Sequence, residues 1–425
     1  MKTALVLAGG GSRGSYQAGV IQALHELNIK IDIVTGTSIG ALNGCLVVQN
    51  EIDALLDLWN DIDITQVIKG EYPKDFSIES MLTNSNLALH FFRQYKEHSM
   101  DNAPLKELIA HYFNEEKFTN SPIDYGLVSV NFPSLKPALI KKSEMLEDGV
   151  NYMIASSSCF PAFPIHEFER GRFIDGGYYD NLPVDLALEL GATHFIIVDL
   201  DCDIIHPHFI NYPNMTYLYP KEYIGSILNF DQAQIQKNIS LGYHDTLKAY
   251  GKLEGHKYSF IPSDNDQLFE TFYLKLLSIE ASSTLTNYQN NHYAILSTLQ
   301  EKAHKSNLSV KEVAYLILDE LMILCKYDTS TIYEFDIVSK QLLAYFNEEL
   351  SEPKDTQHLQ FIQTIMKRLV GIDQLNSVKL MINMLKYPQY YDDIQQKYIK
   401  FDPMIYSLVQ FILLLEKELI YEIKM

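Results

Sequence analysis

The pentapeptide Gly36-Thr37-Ser38-Ile39-Gly40 sets one hydroxyl between two glycines, at the passage from a strand-like run to a helix-like run. A serine in G-x-S-x-G serves as a nucleophile when it tips a tight, strained turn whose small neighbours admit a substrate carbonyl. Taken alone, the same residues make a glycine-rich turn in which Ser38 only caps a helix. A second cluster, Gly9-Gly10-Gly11-Ser12-Arg13-Gly14, follows a short apolar run. It formally satisfies G-x-G-x-x-G, so a dinucleotide site has to be weighed. That reading expects an acidic residue at the end of the second strand. Asp32 stands at that strand's start, and Thr35-Gly36 occupy its end. Common to both readings is a backbone without Cβ atoms, offering N–H groups to an anion beside a helix N-terminus. In a hydrolase that anion is a tetrahedral oxyanion.

The third cluster is Phe173-Ile174-Asp175-Gly176-Gly177, continued by Tyr178-Tyr179-Asp180-Asn181-Leu182-Pro183. A short apolar run delivers a carboxylate into a glycine turn. Such a carboxylate can act as base for a serine if burial keeps its pKa useful and geometry holds it within reach. In isolation, Asp-Gly-Gly reads as an ordinary turn. A Ser-Asp-His triad on an α/β-hydrolase frame does not fit, because there the nucleophile follows several strands. Here one strand, one helix and a second strand precede Ser38. The downstream histidines His194, His206, His208 and His244 have no distinguishing context.

The elements that must position these clusters alternate. Residues 3–8 read as a buried strand and 15–27 as a helix with Val20, Leu24 and Leu27 on one face. Residues 31–35 follow as a strand and 39–48 as a helix. Farther on, 180–190 is helical, with Gly191 placed to end it, and 194–200 is another buried strand. Strands alternating with helices predict an α/β fold, a mainly parallel sheet covered on both faces. From Gln267 the pattern becomes helical, as over 310–325 and 356–369, and strand-like runs fade. The turn-forming Pro262-Ser263-Asp264-Asn265-Asp266 marks the boundary. The expected domains are 1–262 and an all-helical 267–425.

Composition narrows the partners. A net charge of −20 with no local Lys/Arg cluster excludes nucleic-acid binding through a basic face. It also disfavours adhesion to an anionic membrane surface. A lipid-active enzyme of this charge approaches bilayers transiently through an apolar patch, or takes neutral or micellar lipid. Cys45, Cys159, Cys202 and Cys325 are too scattered for a zinc site or a disulfide framework and fit reduced thiols in a cytoplasmic protein. The apolar run at 3–8 is too short for a signal peptide, and 405–415, broken by Gln410, is too short for a membrane span.

Together the three clusters resemble the patatin-like phospholipase family, whose pattern runs G-G-G-x-R/K-G, then G-x-S-x-G, then D-G-G/A. Ala155-Ser156 through Phe163-Pro164 resembles the family's A-S/T-x-x-x-P-x-x-F-P segment, with Phe160 where the family usually has proline. Asn181-Leu182-Pro183 resembles its N-x-P. The likeness covers roughly residues 1–260. It implies a patatin-like three-layer sandwich and a Ser–Asp dyad without histidine, metal or organic cofactor. Ser38 would be the nucleophile and Asp175 the base. Backbone N–H groups of the Gly9–Gly14 loop, around Gly10 and Gly11, would form the oxyanion hole, with Arg13 holding the loop or assisting the charge. Thr37 and Ile39 would flank the elbow between Gly36 and Gly40, and Gly176 and Gly177 would shape the acid turn.

The implied activity is lipid acyl hydrolysis of the phospholipase A or related esterase type. Alternatives are a general carboxylesterase, lipase or acyltransferase, and a non-catalytic lipid- or partner-binding scaffold. No protein partner is assigned to the helical half. Apolar residues between Trp59 and His98, including Phe76, Met81, Leu89 and Phe92, suit either a lid or a packed helical insertion. Trp59 itself reads as core.

Overall fold

The computed structural model describes residues 1–70, 100–203, 206–284, 295–348, 374–387 and 403–424. The candidate lid residues from Phe76 to Phe92 and the helix expected over 356–369 lie outside them. The described chain divides into two compact units, Met1–Gly251 and Lys252–Met425. This division falls ahead of Pro262. Tyr258 and Phe260 turn their rings into the second unit's core, which draws the intervening segment with them.

In the first unit, β1 (Thr3–Leu7) is flanked by β2 (Ile33–Thr37) and β7 (His194–Val198), both parallel to it. The sheet continues through β3 (Asp124–Asn131) on one side and β8 (Met215–Leu218) on the other, again in parallel. β6 (Gly171–Asp175) and β4 (Pro137–Lys141) pair antiparallel with β3, and β5 (His166–Phe168) pairs with β6. The strand order is β5-β6-β3-β2-β1-β7-β8. β1 and β2 are buried along nearly their whole length, as an apolar run inside a covered parallel sheet must be.

Helix α1 (Gly14–Glu26) follows the glycine loop, and α2 (Ile39–Val48) follows Ser38. Gly44 of α2 presses on Tyr125 of β3, while the next residue, Gly126, faces Leu186 in the helix Val184–Glu189. Neighbouring strand residues point to opposite faces, so these helices lie on opposite sides of the sheet. The result is helix, sheet, helix. Trp59 is fully buried in this core, and its indole N–H donates to Asn43 Oδ1 at 3.0 Å.

The helix expected over 180–190 starts only at Val184. Two preceding carbonyls are taken up elsewhere, Asp180 by the Thr37 hydroxyl and Asn181 by the Gly9 N–H, while Pro183 accepts both the Thr35 hydroxyl and the first helical N–H, from Ala187. Pro183 has no N–H to bond back to a preceding turn, so it fits only at a helix start.

The second unit is predominantly helical. Asp266–Thr284, Val310–Leu324, Phe335–Asn347 and Pro403–Lys424 bury Phe272, Leu318, Leu342 and Phe411 in its core. It is not wholly helical, because β9 (Ser259–Phe260) and β10 (Ile332–Tyr333) pair in parallel. The apolar run 405–415 lies within the helix Pro403–Lys424. Among the described residues, no helix is long and apolar enough to cross a membrane.

Candidate active site

Ser38 occupies a backbone conformation that L-residues avoid, with φ 52° and ψ −121°. Such strain persists only when the surroundings over-determine it, and here they do. The Ser38 N–H donates to Ser156 Oγ at 3.0 Å, and Ser156 Oγ donates in turn to the Val128 carbonyl at 2.7 Å. The Ser38 carbonyl accepts from Ala41 and Leu42 in the first turn of α2. Gly40 must lack a side chain, since a Cβ there would run into the carbonyls of Leu7 and Ala8. The turn therefore sits against the end of β1, with the positive end of α2 beneath Ser38.

Asp175 reaches the same place from the other side of β3. Thr37 pairs with Val128 in the parallel β2–β3 ladder, and Asp175 pairs with Ser129 in the antiparallel β3–β6 ladder. Ser38 follows directly on Thr37, so it and Asp175 approach from the two strands that flank β3, whose partners Val128 and Ser129 are adjacent. The Asp175 N–H donates to the Ser158 carbonyl at 2.8 Å, and Asp175 Oδ1 accepts from the Gly177 N–H at 2.8 Å. Burial pushes the Asp175 carboxyl up to about 6, while the Gly177 N–H and the Ser38 hydroxyl pull it down. No histidine is among the influences on Asp175. His206 acts on Asp180 as the weakest of several effects, His194 bonds Thr193, and His244 lies by Lys248 and Asp245.

The glycine loop closes the third side. A Cβ on Gly9 would lie 3.2 Å from Ser38 Cβ. Gly9 donates its N–H to the Asn181 carbonyl, Ser12 to the Ile227 carbonyl and Arg13 to the Gly10 carbonyl, while the Gly14 N–H turns back to Gly11 and Ser12. Among the described residues, the N–H groups of Gly10 and Gly11 have no acceptor. The donors open to an incoming anion thus narrow from the six-residue loop to these two. Gly11 adopts φ +59°, which glycine tolerates, and a Cβ there would also strike the Ile227 carbonyl.

Arg13 reaches the segment 223–227. Its Nε donates to the Gly225 carbonyl at 2.8 Å, and its guanidinium lies 5.6 Å over the Tyr223 ring. It fastens the loop to the segment 223–227, which also accepts the Ser12 hydroxyl at Ser226. Sequence reading missed this support, as it missed Ser156 as the partner of the Ser38 N–H. That segment carries no motif, and the bonds from Ser12 and Arg13 end on its backbone carbonyls, which any residue type supplies. Asp32, the acid weighed for ribose, accepts from Thr3 N–H and pairs with Lys30 at the opposite end of β1 and β2 from the glycine loop. Phe160, the departure from the motif, takes the Tyr178 hydroxyl on its carbonyl, and its ring lies 5.7 Å from that of Phe132.

A strained hydroxyl and a carboxylate of raised pKa therefore meet beside the glycine loop, whose Gly10 and Gly11 N–H groups have no acceptor among the described residues. This set can remove a proton, form a covalent acyl adduct and hold the charge that develops on a carbonyl oxygen.

The patatin-like phospholipase family model matches residues 5–188, so the resemblance holds over this stretch. Patatin-like phospholipase domain-containing protein 7 of Rattus norvegicus is 27% identical over 202 residues, 46% of this chain and 13% of that protein. Patatin-like phospholipase domain-containing protein 6 of Homo sapiens is 29% identical over 204 residues, with the same coverage of 46% and 13%. Lysophospholipase NTE1 of Candida albicans is 29% identical over 205 residues, again 46% and 13%. The matched stretch thus spans about an eighth of the length of these relatives. The crystal structure of VipD from Legionella pneumophila aligns over 97% of this chain and 91% of its own, with a TM-score of 0.38 and 14% identity.

Proposed function

We propose that this protein is a lipid acyl hydrolase of the phospholipase A or related esterase type, working through an acyl-enzyme on Ser38. The observation that carries the reading is the meeting of a strained serine with a buried carboxylate beside two open backbone donors. Asp175 takes the proton as Ser38 Oγ attacks the ester carbonyl carbon. The carbonyl π electrons move to oxygen, where the N–H groups of Gly10 and Gly11 bind the oxyanion. The adduct collapses, the alcohol leaves with the proton from Asp175, and the acyl group stays on Ser38. Water then repeats the attack with Asp175 again as base, releasing the carboxylic acid. Each oxyanion donor is worth roughly 2.7–4 kcal/mol of transition-state stabilisation.

The motifs select the bond and not the head group, so phospholipids and simpler esters both qualify as substrates. With a net charge of −20, contact with a bilayer is transient and peripheral, and neutral or zwitterionic lipid is favoured over anionic lipid. The unit after Gly251 serves a structural or regulatory role. Fluorophosphonate labelling of the wild type, abolished in Ser38→Ala, is the decisive test, followed by a lipid panel on both proteins. Well-folded wild type that takes no label would favour the scaffold reading instead.

A further inference from the structure

Asn238 belongs to the helix Gln232–Ala249 and is 2% exposed. Both hydrogens of its Nδ2 are placed, one on Ser15 Oγ at 3.1 Å and one on the Ile224 carbonyl at 3.0 Å. Its Oδ1 accepts from Gln234 Nε2 at 2.8 Å. Ser15 stands in the first turn of α1, and its single proton goes to the Ser12 carbonyl at 2.8 Å. Ser15 therefore accepts from Asn238, and the polarity runs one way, from amide to hydroxyl to loop carbonyl.

Two rigid peptide planes carry this hold onward. The Ser12 carbonyl shares a plane with the Arg13 N–H, which donates to the Gly10 carbonyl at 3.3 Å. The Gly10 carbonyl shares the next plane with the Gly11 N–H, one of the two open donors. The other donor is held separately, because the Gly10 N–H shares its plane with the Gly9 carbonyl that accepts from Asn181 Nδ2. Asn238 also steadies the far side of the loop. Directly after Ile224, the carbonyls of Gly225, Ser226 and Ile227 accept the Arg13 Nε, the Ser12 hydroxyl and the Ser12 N–H.

The support beneath Asn238 is firm. α1 and the helix Gln232–Ala249 meet backbone to backbone: a Cβ on Gly19 would strike the Ile239 carbonyl, and one on Gly242 the Tyr16 carbonyl. The Tyr16 hydroxyl ties the same two helices by donating to Asp245 Oδ2 at 2.7 Å. A buried polar network with its members satisfied rigidifies what it joins.

We propose that Asn238 is a positioning residue that aims the Gly11 N–H at the developing oxyanion. It touches no reacting atom. Asparagine suits the place because one planar nitrogen donates twice, to acceptors on two different segments, which Asp, Ser and Leu cannot do. The catalytic consequence rests on the hydrolase reading, but the hold on the loop does not.

The full-length wild type, Asn238→Asp, Ser15→Ala and Thr246→Ala are assayed on p-nitrophenyl butyrate and on its C=S counterpart. Asn238→Asp keeps the volume and the acceptor for Gln234 but loses both donors. Thr246, buried in the same helix with its hydroxyl on the Gly242 carbonyl, controls for general loosening. Sulfur accepts hydrogen bonds weakly, so the oxo-to-thiono ratio of kcat/KM reads the oxyanion donors. We expect Asn238→Asp to lower kcat about a hundredfold with KM held within about twofold. The oxo-to-thiono ratio should fall at least about tenfold. Ser15→Ala should shift the ratio the same way, and the double variant no further than Asn238→Asp alone. Thr246→Ala should keep the wild-type ratio. Amide hydrogen exchange over residues 9–14 should quicken in Asn238→Asp and not in Thr246→Ala. An unchanged ratio in Asn238→Asp, whether or not both rates fall, overturns the proposal, as does unaltered exchange of the loop. If Asn238→Asp does not fold, Ser15→Ala decides by the same two readouts. A wild type inert to both esters sinks the hydrolase reading, and loop exchange alone then judges Asn238.

Discussion

Asn181 grips the peptide of Gly9 at both ends: its carbonyl accepts the Gly9 N–H at 3.1 Å, and its Nδ2 donates to the Gly9 carbonyl at 3.1 Å. The residue that follows the acid turn thereby fixes the loop that presents the two open donors. Asn181→Ala removes the side-chain half of this grip. We expect kcat to fall by about a hundredfold, in line with displacing catalytic groups by an ångström. Ester turnover with Tm as a folding control checks this, and wild-type kcat would show that the loop holds itself.

The pH profile follows from Asp175, whose carboxyl is raised to about 6 by burial. A base works only when deprotonated, so kcat/KM should drop tenfold per pH unit below about 6 and level off above it. A profile that is flat down to the ordinary carboxylate range would assign the base elsewhere.

The same burial gives Asp175→Asn a predicted stability signature. A carboxyl near 3.8 when unfolded and about 6 when folded binds more protons in the native state between those values. Its ionisation therefore weakens the wild type progressively as pH rises from about 4 to 6, and the loss is complete above that. Asn can still accept the Gly177 N–H without charge. The variant should be inactive yet more stable than wild type at neutral pH, by up to about 3 kcal/mol, with the gain vanishing near pH 4. Denaturant melts at the two pH values measure it.

Ser38 stores strain that the proposed nucleophile role would use. Ser38→Gly should abolish turnover and raise stability by about 1 kcal/mol, because glycine adopts positive φ without penalty. Ser156→Ala should do the reverse to the frame. It leaves the Ser38 N–H without its partner, costing about 1–3 kcal/mol and loosening the turn. Thermal melts of both variants decide the point.

The candidate site was legible in the sequence because it depends on contiguous residue types: a serine between glycines, a carboxylate before glycines, and a loop without side chains. The alternation of strands and helices was equally legible from apolar period. What escaped was every contact made through a backbone carbonyl. The segment 223–227 holds Ser12 and Arg13 by such carbonyls, and any residue type supplies those. The late start at Val184 was likewise hidden, since the period of 180–190 does not reveal that the Asp180 and Asn181 carbonyls are taken by Thr37 and Gly9. Tyr258 and Phe260 read as the tail of one unit until their rings are seen in the core of the other.

β3 pairs Val128 with Thr37, the residue before Ser38, on one side and Ser129 with Asp175 on the other. It acts as a spacer whose pleat fixes the gap between the reacting groups. Inserting one residue into Asp124–Asn131 would invert that pleat and part the pair without altering either member. Rebuilding the outermost strands β5 and β8 would leave the gap intact, so a protein engineer has freedom at the sheet's margins and almost none along its third strand.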